Sequence, residues 1–159
     1  MTAGNTIAAE RTYAVQGLSL DENVLQTMQG MAVRYYKHGM YAESESLLTF
    51  LMRHLSSRPE IYYELGKAQH AQSEYAAALT NYQRAVTLGL PDPEVYLYMG
   101  QCCIYLNYFE QADKALRRFL SLGRTAPSFG SIPLLVRAEH LLTDLVVPRL
   151  QKKLQEASS

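Results

Sequence analysis

The stretch that begins at Pro59, PEIYYELGKAQHAQSEYAAAL, returns 34 residues later as PEVYLYMGQCCIYLNYFEQAD, beginning at Pro93. Self-similarity at a fixed step of this length marks a stack of helical units, each of which buries its apolar face only against its neighbours. At this step Pro59 maps to Pro93, Tyr62 to Tyr96, Leu65 to Met99, Gly66 to Gly100, Tyr75 to Phe109 and Ala78 to Ala112. One step earlier, Met28, Met31, Ala32, Tyr41 and Ser44 form a degenerate copy. Three units therefore run 25–58, 59–92 and 93–126.

Inside the unit, an aromatic is followed after two residues by an apolar–Gly pair, and later an Ala by an aromatic four residues on. This resembles the tetratricopeptide repeat. Tyr62, Leu65, Gly66, Ala78, Tyr82 and Ala85 carry the pattern in the second unit and Tyr96, Gly100 and Ala112 in the third. In the first, Ala32, Tyr35 and Tyr41 remain. Small residues let two antiparallel helices approach closely, while aromatic and leucine side chains fill the space between them. The resemblance implies an all-α fold: three helix hairpins in a short superhelix with a C-terminal capping helix.

Local signals agree. Ser19 with Glu22 reads as a capping box opening the first helix, and Asp92 ahead of Pro93 as an N-cap. Gly89 and Gly123 each follow an apolar-periodic run and suit the left-handed position after a helix end. The turns inside the units, KHGM, QSE and LN, are short enough for antiparallel hairpins. Residues 123–133, GRTAPSFGSIP, read as a loop, and a last helix starts near Ser131 or Ile132. Its face of Leu134, Leu135, Ala138, Leu141, Leu142, Leu145 and Val146 is broad enough to cap a solenoid. Pro148 should kink or end that helix, leaving RLQKKLQEASS as a fraying polar tail. The chain thus divides into an N-terminal arm (1–19), the repeats (20–126), and a loop with the capping helix (127–159). In the arm, Ile7, Ala8, Tyr13, Ala14 and Val15 could form a short apolar helix face.

In tetratricopeptide arrays the first helix of each unit lines a concave surface, and helical geometry puts the unit positions 2, 5, 9, 12 and 16 on it. By this resemblance the groove holds Val33, Tyr36 and Met40 from the first unit and Tyr63, Lys67 and His70 from the second. The third contributes Leu97, Gln101 and Ile104, with Tyr105 one residue further on. Aromatic and aliphatic surface with a few polar tips suits an extended peptide; the competing reading is that some of these tyrosines are interhelix packing. The carboxylate clamp of chaperone-tail-binding tetratricopeptide domains is set aside, because Val33 and Lys67 occupy position 9 and no paired Asn is present.

Lys plus Arg and Asp plus Glu number 15 each, so no basic field favours nucleic acid. No run approaches the roughly 18 apolar residues of a membrane span, and the N-terminus has no signal-peptide pattern; no direct membrane insertion is expected. His38, His54, His70 and His140 fall in no metal-ligand spacing. Adjacent Cys102 and Cys103 are poorly placed for a bridge and fit helix-core filler in a reducing compartment. Neither a phosphate loop nor a nucleophile–base arrangement can be nominated, so no cofactor and no enzyme activity are expected.

A closer resemblance covers about residues 20–125. LQTMQGMAVRYYKHGMYAESESLL, with Ala32, Tyr36, Gly39 and Tyr41, then YYELGKAQHAQSEYAAALTNYQRA and MGQCCIYLNYFEQADKAL, are similar to the class II chaperones of type III secretion systems. These are small cytoplasmic tetratricopeptide proteins of bacteria that hold hydrophobic translocators. The resemblance implies that the groove takes an extended N-terminal segment of a translocator through spaced proline and leucine anchors, and that the chain can form a homodimer. The short arm and a C-terminal helix carrying Pro133 and Pro148 depart from the family pattern. The alternative is a general tetratricopeptide scaffold or co-chaperone without a secretion client.

Overall fold

The computed structural model describes residues 13–15, 18–125 and 132–158. Six helices form three hairpins: α1 (Glu22–Lys37) with α2 (Tyr41–His54), α3 (Pro59–Ala71) with α4 (Tyr75–Thr87), and α5 (Glu94–Tyr105) with α6 (Phe109–Thr125). Each second helix also packs on the first helix of the next pair, α2 on α3 and α4 on α5, so the pairs stack in one direction. A continuous helical segment follows, made of α7 (Ile132–His140), a π-helical turn over Leu141–Val146, and α8 (Val147–Ala157). α7 and the π turn pack on α6, and the π turn touches α5. That is the place a fourth unit's first helix would take.

The turn inside each hairpin repeats with the sequence period. Gly39, Ser73 and Asn107 lie at one position of the unit and all adopt left-handed backbone, with φ of 76°, 65° and 60°. The next N–H then reaches back over the helix end, from Met40 to the Tyr35 carbonyl, Glu74 to Gln69 and Tyr108 to Cys103, at 2.8–2.9 Å. This is the closure that satisfies orphan carbonyls at a helix C-terminus.

Between paired helices, the small residues of the sequence pattern mark the closest approach. A Cβ added at Gly66 would lie 2.7 Å from Tyr82 Cε1, and one at Gly100 2.7 Å from Leu116 Cδ2. Ala32 stands at the equivalent place in α1, fully buried, and accepts a hydrogen bond at its carbonyl from the buried Ser44 hydroxyl of α2 at 2.8 Å. The buried residues fall into two clusters. Leu25, Leu48, Leu51, Leu55, Ile61 and Leu65 build an aliphatic one around the first unit. Tyr82, Phe119, Val95 and Leu116 centre a larger, aromatic one that runs through the second and third units to Ala138, Leu142 and Val146.

Several local expectations are corrected. Tyr13–Val15 form a β-strand, β1, paired antiparallel with β2 (Leu18–Leu20), Tyr13 opposite Leu20, instead of joining a helix face; Ile7 and Ala8 lie outside the described residues. Ser19 belongs to β2, and α1 is capped by Asp21, whose carboxylate accepts the Val24 N–H at 2.9 Å. Glu22 instead pairs with Arg58, which stands at the N-cap of α3. The Asp92 carboxylate does accept the Glu94 N–H, at 2.9 Å, but Pro93 stands at the cap position. Gly89 is left-handed, with φ of 87°. Gly123 is not: it is buried inside α6, where an added Cβ would meet Leu135 Cδ2 at 2.5 Å. Its role is close approach between α6 and α7. Pro148 neither ends the segment nor leaves a fraying tail. The π turn ahead of it links Val147 N–H to the Leu142 carbonyl, shifting the ladder where the proline can donate nothing. α8 then runs on to Ala157, with Lys153 paired to Glu110 of α6.

Candidate functional site

The face presented by α1, α3 and α5 carries a connected group of rings. Tyr63 of α3 lies 6.2 Å from Tyr98 of α5 and 6.0 Å from Tyr82 of α4, centroid to centroid. Tyr82 and Tyr98 stack at 5.8 Å. His70, two turns beyond Tyr63 on α3, puts its ring edge to Tyr98 at 5.8 Å and Tyr75 at 5.4 Å, and its Nδ1 lies 3.7 Å from Cys102 Sγ. Tyr105, 61% exposed, stacks flat on Tyr75 at 4.1 Å. Lys67 bridges to the first unit: its ammonium sits 5.3 Å from the Tyr36 ring centre and 4.9 Å from that of Tyr63, and pairs with Glu64 at 2.9 Å.

Electrostatics keep the Tyr36, Tyr63 and Tyr98 phenols protonated and favour a neutral His70 imidazole. Burial pushes the Tyr36, Tyr63 and Tyr98 hydroxyls above the ordinary tyrosine value, with nearby carboxylates adding to it. Burial, then the Arg137 charge, pushes His70 below the ordinary histidine value. Glu94 is raised by burial and by Asp92, with Lys67 opposing. Such a surface offers ring faces and neutral donors, the combination that aromatic-lined grooves use to hold proline-containing extended segments.

The sequence-derived residues divide three ways. Tyr36, Tyr63, Lys67, His70 and Tyr105 come together in the ring group. Ile104 is half-buried and shares a cavity with His70 and Tyr105. Val33 is half-buried on α1, and Met40 is exposed at the turn before α2. Leu97, 1% exposed, is in the core, as is most of Tyr63 at 8%; Gln101 is buried but faces the cavity. Three residues outside the projected positions belong to the face: Tyr98, Tyr75 and Arg137. Tyr98 follows position 5 directly, so a broader helical stripe would have caught it. Arg137 had no repeat signal, because it comes from the segment that replaces a fourth unit.

The cysteines are buried, and burial pushes the Cys102 thiol up to about 12 and Cys103 up to about 11, so neither is a nucleophile at neutral pH. Among the described residues no group of three His, Cys, Asp or Glu could hold a metal, and no helix is long and apolar enough to cross a membrane.

Neither a protein-family profile nor a curated sequence matches the chain. Solved structures do. The Yersinia enterocolitica type III secretion translocator chaperone SycD superposes with a TM-score of 0.74 at 18% identity, over 84% of this chain and 89% of SycD. PcrH of Pseudomonas aeruginosa, solved with the chaperone binding region of PopD, gives 0.74 at 18% over 86% and 99%. SycD solved with a peptide of the translocator YopD gives 0.72 at 18% over 82% and 96%. At such identities the likeness establishes the fold: this chain is a three-repeat tetratricopeptide solenoid built like the type III secretion translocator chaperones.

Proposed function

We propose that the chain is a cytoplasmic chaperone of a bacterial type III secretion system, not an enzyme, that binds an extended segment of a hydrophobic translocator along the α1–α3–α5 face and keeps it soluble before secretion. The observation that carries this reading is the ring group joining Tyr36, Tyr63, Tyr98, His70 and Tyr105 across all three units, on a fold whose solved relatives include peptide-bound chaperones. In this reading Tyr36, Lys67, His70, Ile104 and Tyr105 touch the client, and Val33 and Met40 extend the surface toward the first unit. Two or three buried aliphatic anchors at ~1.5–3 kcal/mol each, less the ordering cost of the segment, place the affinity on the order of micromolar. That is tight enough to protect a client and weak enough to release it. A homodimer formed through the N-terminal arm belongs to the same reading.

The test is fluorescence anisotropy with overlapping N-terminal segments of candidate translocators from the same genome, against wild type and Tyr105→Ala. Tyr105 is the better probe than Tyr63, since its exposed ring can be removed without opening the core. Micromolar binding by one segment, weakened about tenfold by Tyr105→Ala at unchanged stability, is the expected result. A folded protein that binds none of the segments points to a general scaffold.

A further inference from the structure

Where the C-terminal segment meets the third unit, a cavity of about 170 Å³ opens between α3, α5, α7 and the π turn, lined by His70, Gln101, Ile104, Tyr105, Arg137, Leu141 and Leu145. Two features make it a site for a particular group. Gln101 is 6% exposed, and its Nε2 has no hydrogen-bond partner among the described residues. A buried amide left without a partner is a cost to the folded chain, and the cavity is the open space beside it. The second is charge. Arg137, itself exposed, makes no ion pair among the described residues, whereas Arg117 and Arg124 nearby on α6 are held by Asp113 and Glu139. Among the described residues no carboxylate lines the cavity.

We propose that this cavity is a subsite for the side-chain carboxylate of an Asp or Glu in the bound client segment. Arg137 neutralises the carboxylate, and Gln101 Nε2 donates to it after rotation of its terminal amide, a soft torsion. An aliphatic neighbour in the client lies against Ile104, Leu141 and Leu145. At about 170 Å³ the cavity has room for an Asp or Glu side chain. The opposite part of the groove carries Glu64, Asp92 and Glu94 around Lys67, so a client acid is accepted at the α5–α7 end and repelled at the other. The subsite thereby sets the register and direction of the segment. This rests on the peptide-groove reading above.

The experiment is a ¹H–¹⁵N NMR titration of the full chain with acetyl-Glu-Leu-amide and with acetyl-Gln-Leu-amide, following the Gln101 side-chain amide and the Arg137 Nε–H, and repeated on Arg137→Gln. The expected result is a saturable shift of both signals with the Glu dipeptide, about tenfold weaker with the Gln dipeptide, and loss of the difference in Arg137→Gln. Equal response to the two dipeptides, or no shift at either signal, overturns the proposal. The groove reading is scored separately by the translocator segments. If a segment binds and neutralising each of its acids in turn leaves the affinity the same on wild type and Arg137→Gln, the groove stands and the subsite falls. If the Glu dipeptide binds as expected but no segment does, the subsite stands and the client reading falls.

Discussion

The first unit and the two that follow share a backbone plan but fill it differently. Around α1 and α2 the core is aliphatic, Leu25, Leu48, Leu51 and Leu55 closing on Ile61 and Leu65 of α3. Around α4–α6 it is aromatic, with Tyr82 and Phe119 fully buried, and Tyr82 also forms part of the floor beneath the groove. Closest approach follows this choice. Glycine stands opposite Tyr82 and Leu116, where a methyl has no room, while alanine suffices in the first unit. The aromatic region therefore combines two tasks in one set of rings, packing and presentation, and accepts an imperfection for it: the Tyr82 hydroxyl is buried without a partner among the described residues.

The sharpest way to break this comparison is to empty each core. Phe119→Ala should cost about 3–5 kcal/mol and Leu51→Ala about 2–5. Native-state hydrogen exchange should then show lost protection concentrated in α3–α8 for the first and in α1–α2 for the second. Uniform loss in both variants would mean that the two clusters unfold as one unit.

Next come the close approaches. Gly66→Ala and Gly100→Ala should each destabilise by about 1–3 kcal/mol, because the added methyl meets a ring or a branched side chain already held in place. Ala32→Gly should cost only ~0.5–1 kcal/mol, through helix propensity. Urea denaturation measures all three; a neutral Gly66→Ala would show that the Tyr82 ring yields.

Removing hydroxyls should act with opposite signs in the two regions. Tyr82→Phe deletes a buried hydroxyl with no partner among the described residues and should stabilise by about 1 kcal/mol, whereas Ser44→Ala loses the bond to the Ala32 carbonyl and should destabilise by ~0.5–1.5 kcal/mol. Equal signs would mean that the Tyr82 hydroxyl has found a partner, such as an ordered water.

The smallest effect is a pH dependence. His70 binds its proton less readily folded than unfolded, so the unfolded chain gains protons first as pH falls. Wild type should lose stability relative to His70→Gln as pH falls below the unfolded histidine value of about 6.5. Thermal melts from pH 7 to 5 check it, and parallel curves for the two proteins would contradict the burial of His70 among the rings.

The hairpins, their order and their closest contacts were legible because they rest on short-range rules: a period that returns Gly66 as Gly100, small residues at helix crossings, and short turns between paired helices. Half of the candidate site was legible as well, since the resemblance to tetratricopeptide arrays, with helical geometry, assigns Tyr36, Tyr63, Lys67 and His70 to one face. Tyr13–Val15 were not, because an apolar triplet serves a strand as well as a helix and only its pairing with Leu18–Leu20 decides. Nor was the role of Gly123, whose environment is made by Leu135, brought up from beyond the connection.

What the sequence by itself determined is the solenoid: a 34-residue unit, repeated three times, with its small and large residues assigned to fixed sides. Only the tertiary structure decided which groove residues are surface and which are core, sinking Leu97 while lifting Tyr98 into reach. It alone set Arg137 against His70 and Gln101. The physical reason is that a repeat prescribes what each unit offers to its neighbours, whereas exposure and local charge depend on what covers the last unit, and here a non-repeating segment covers it.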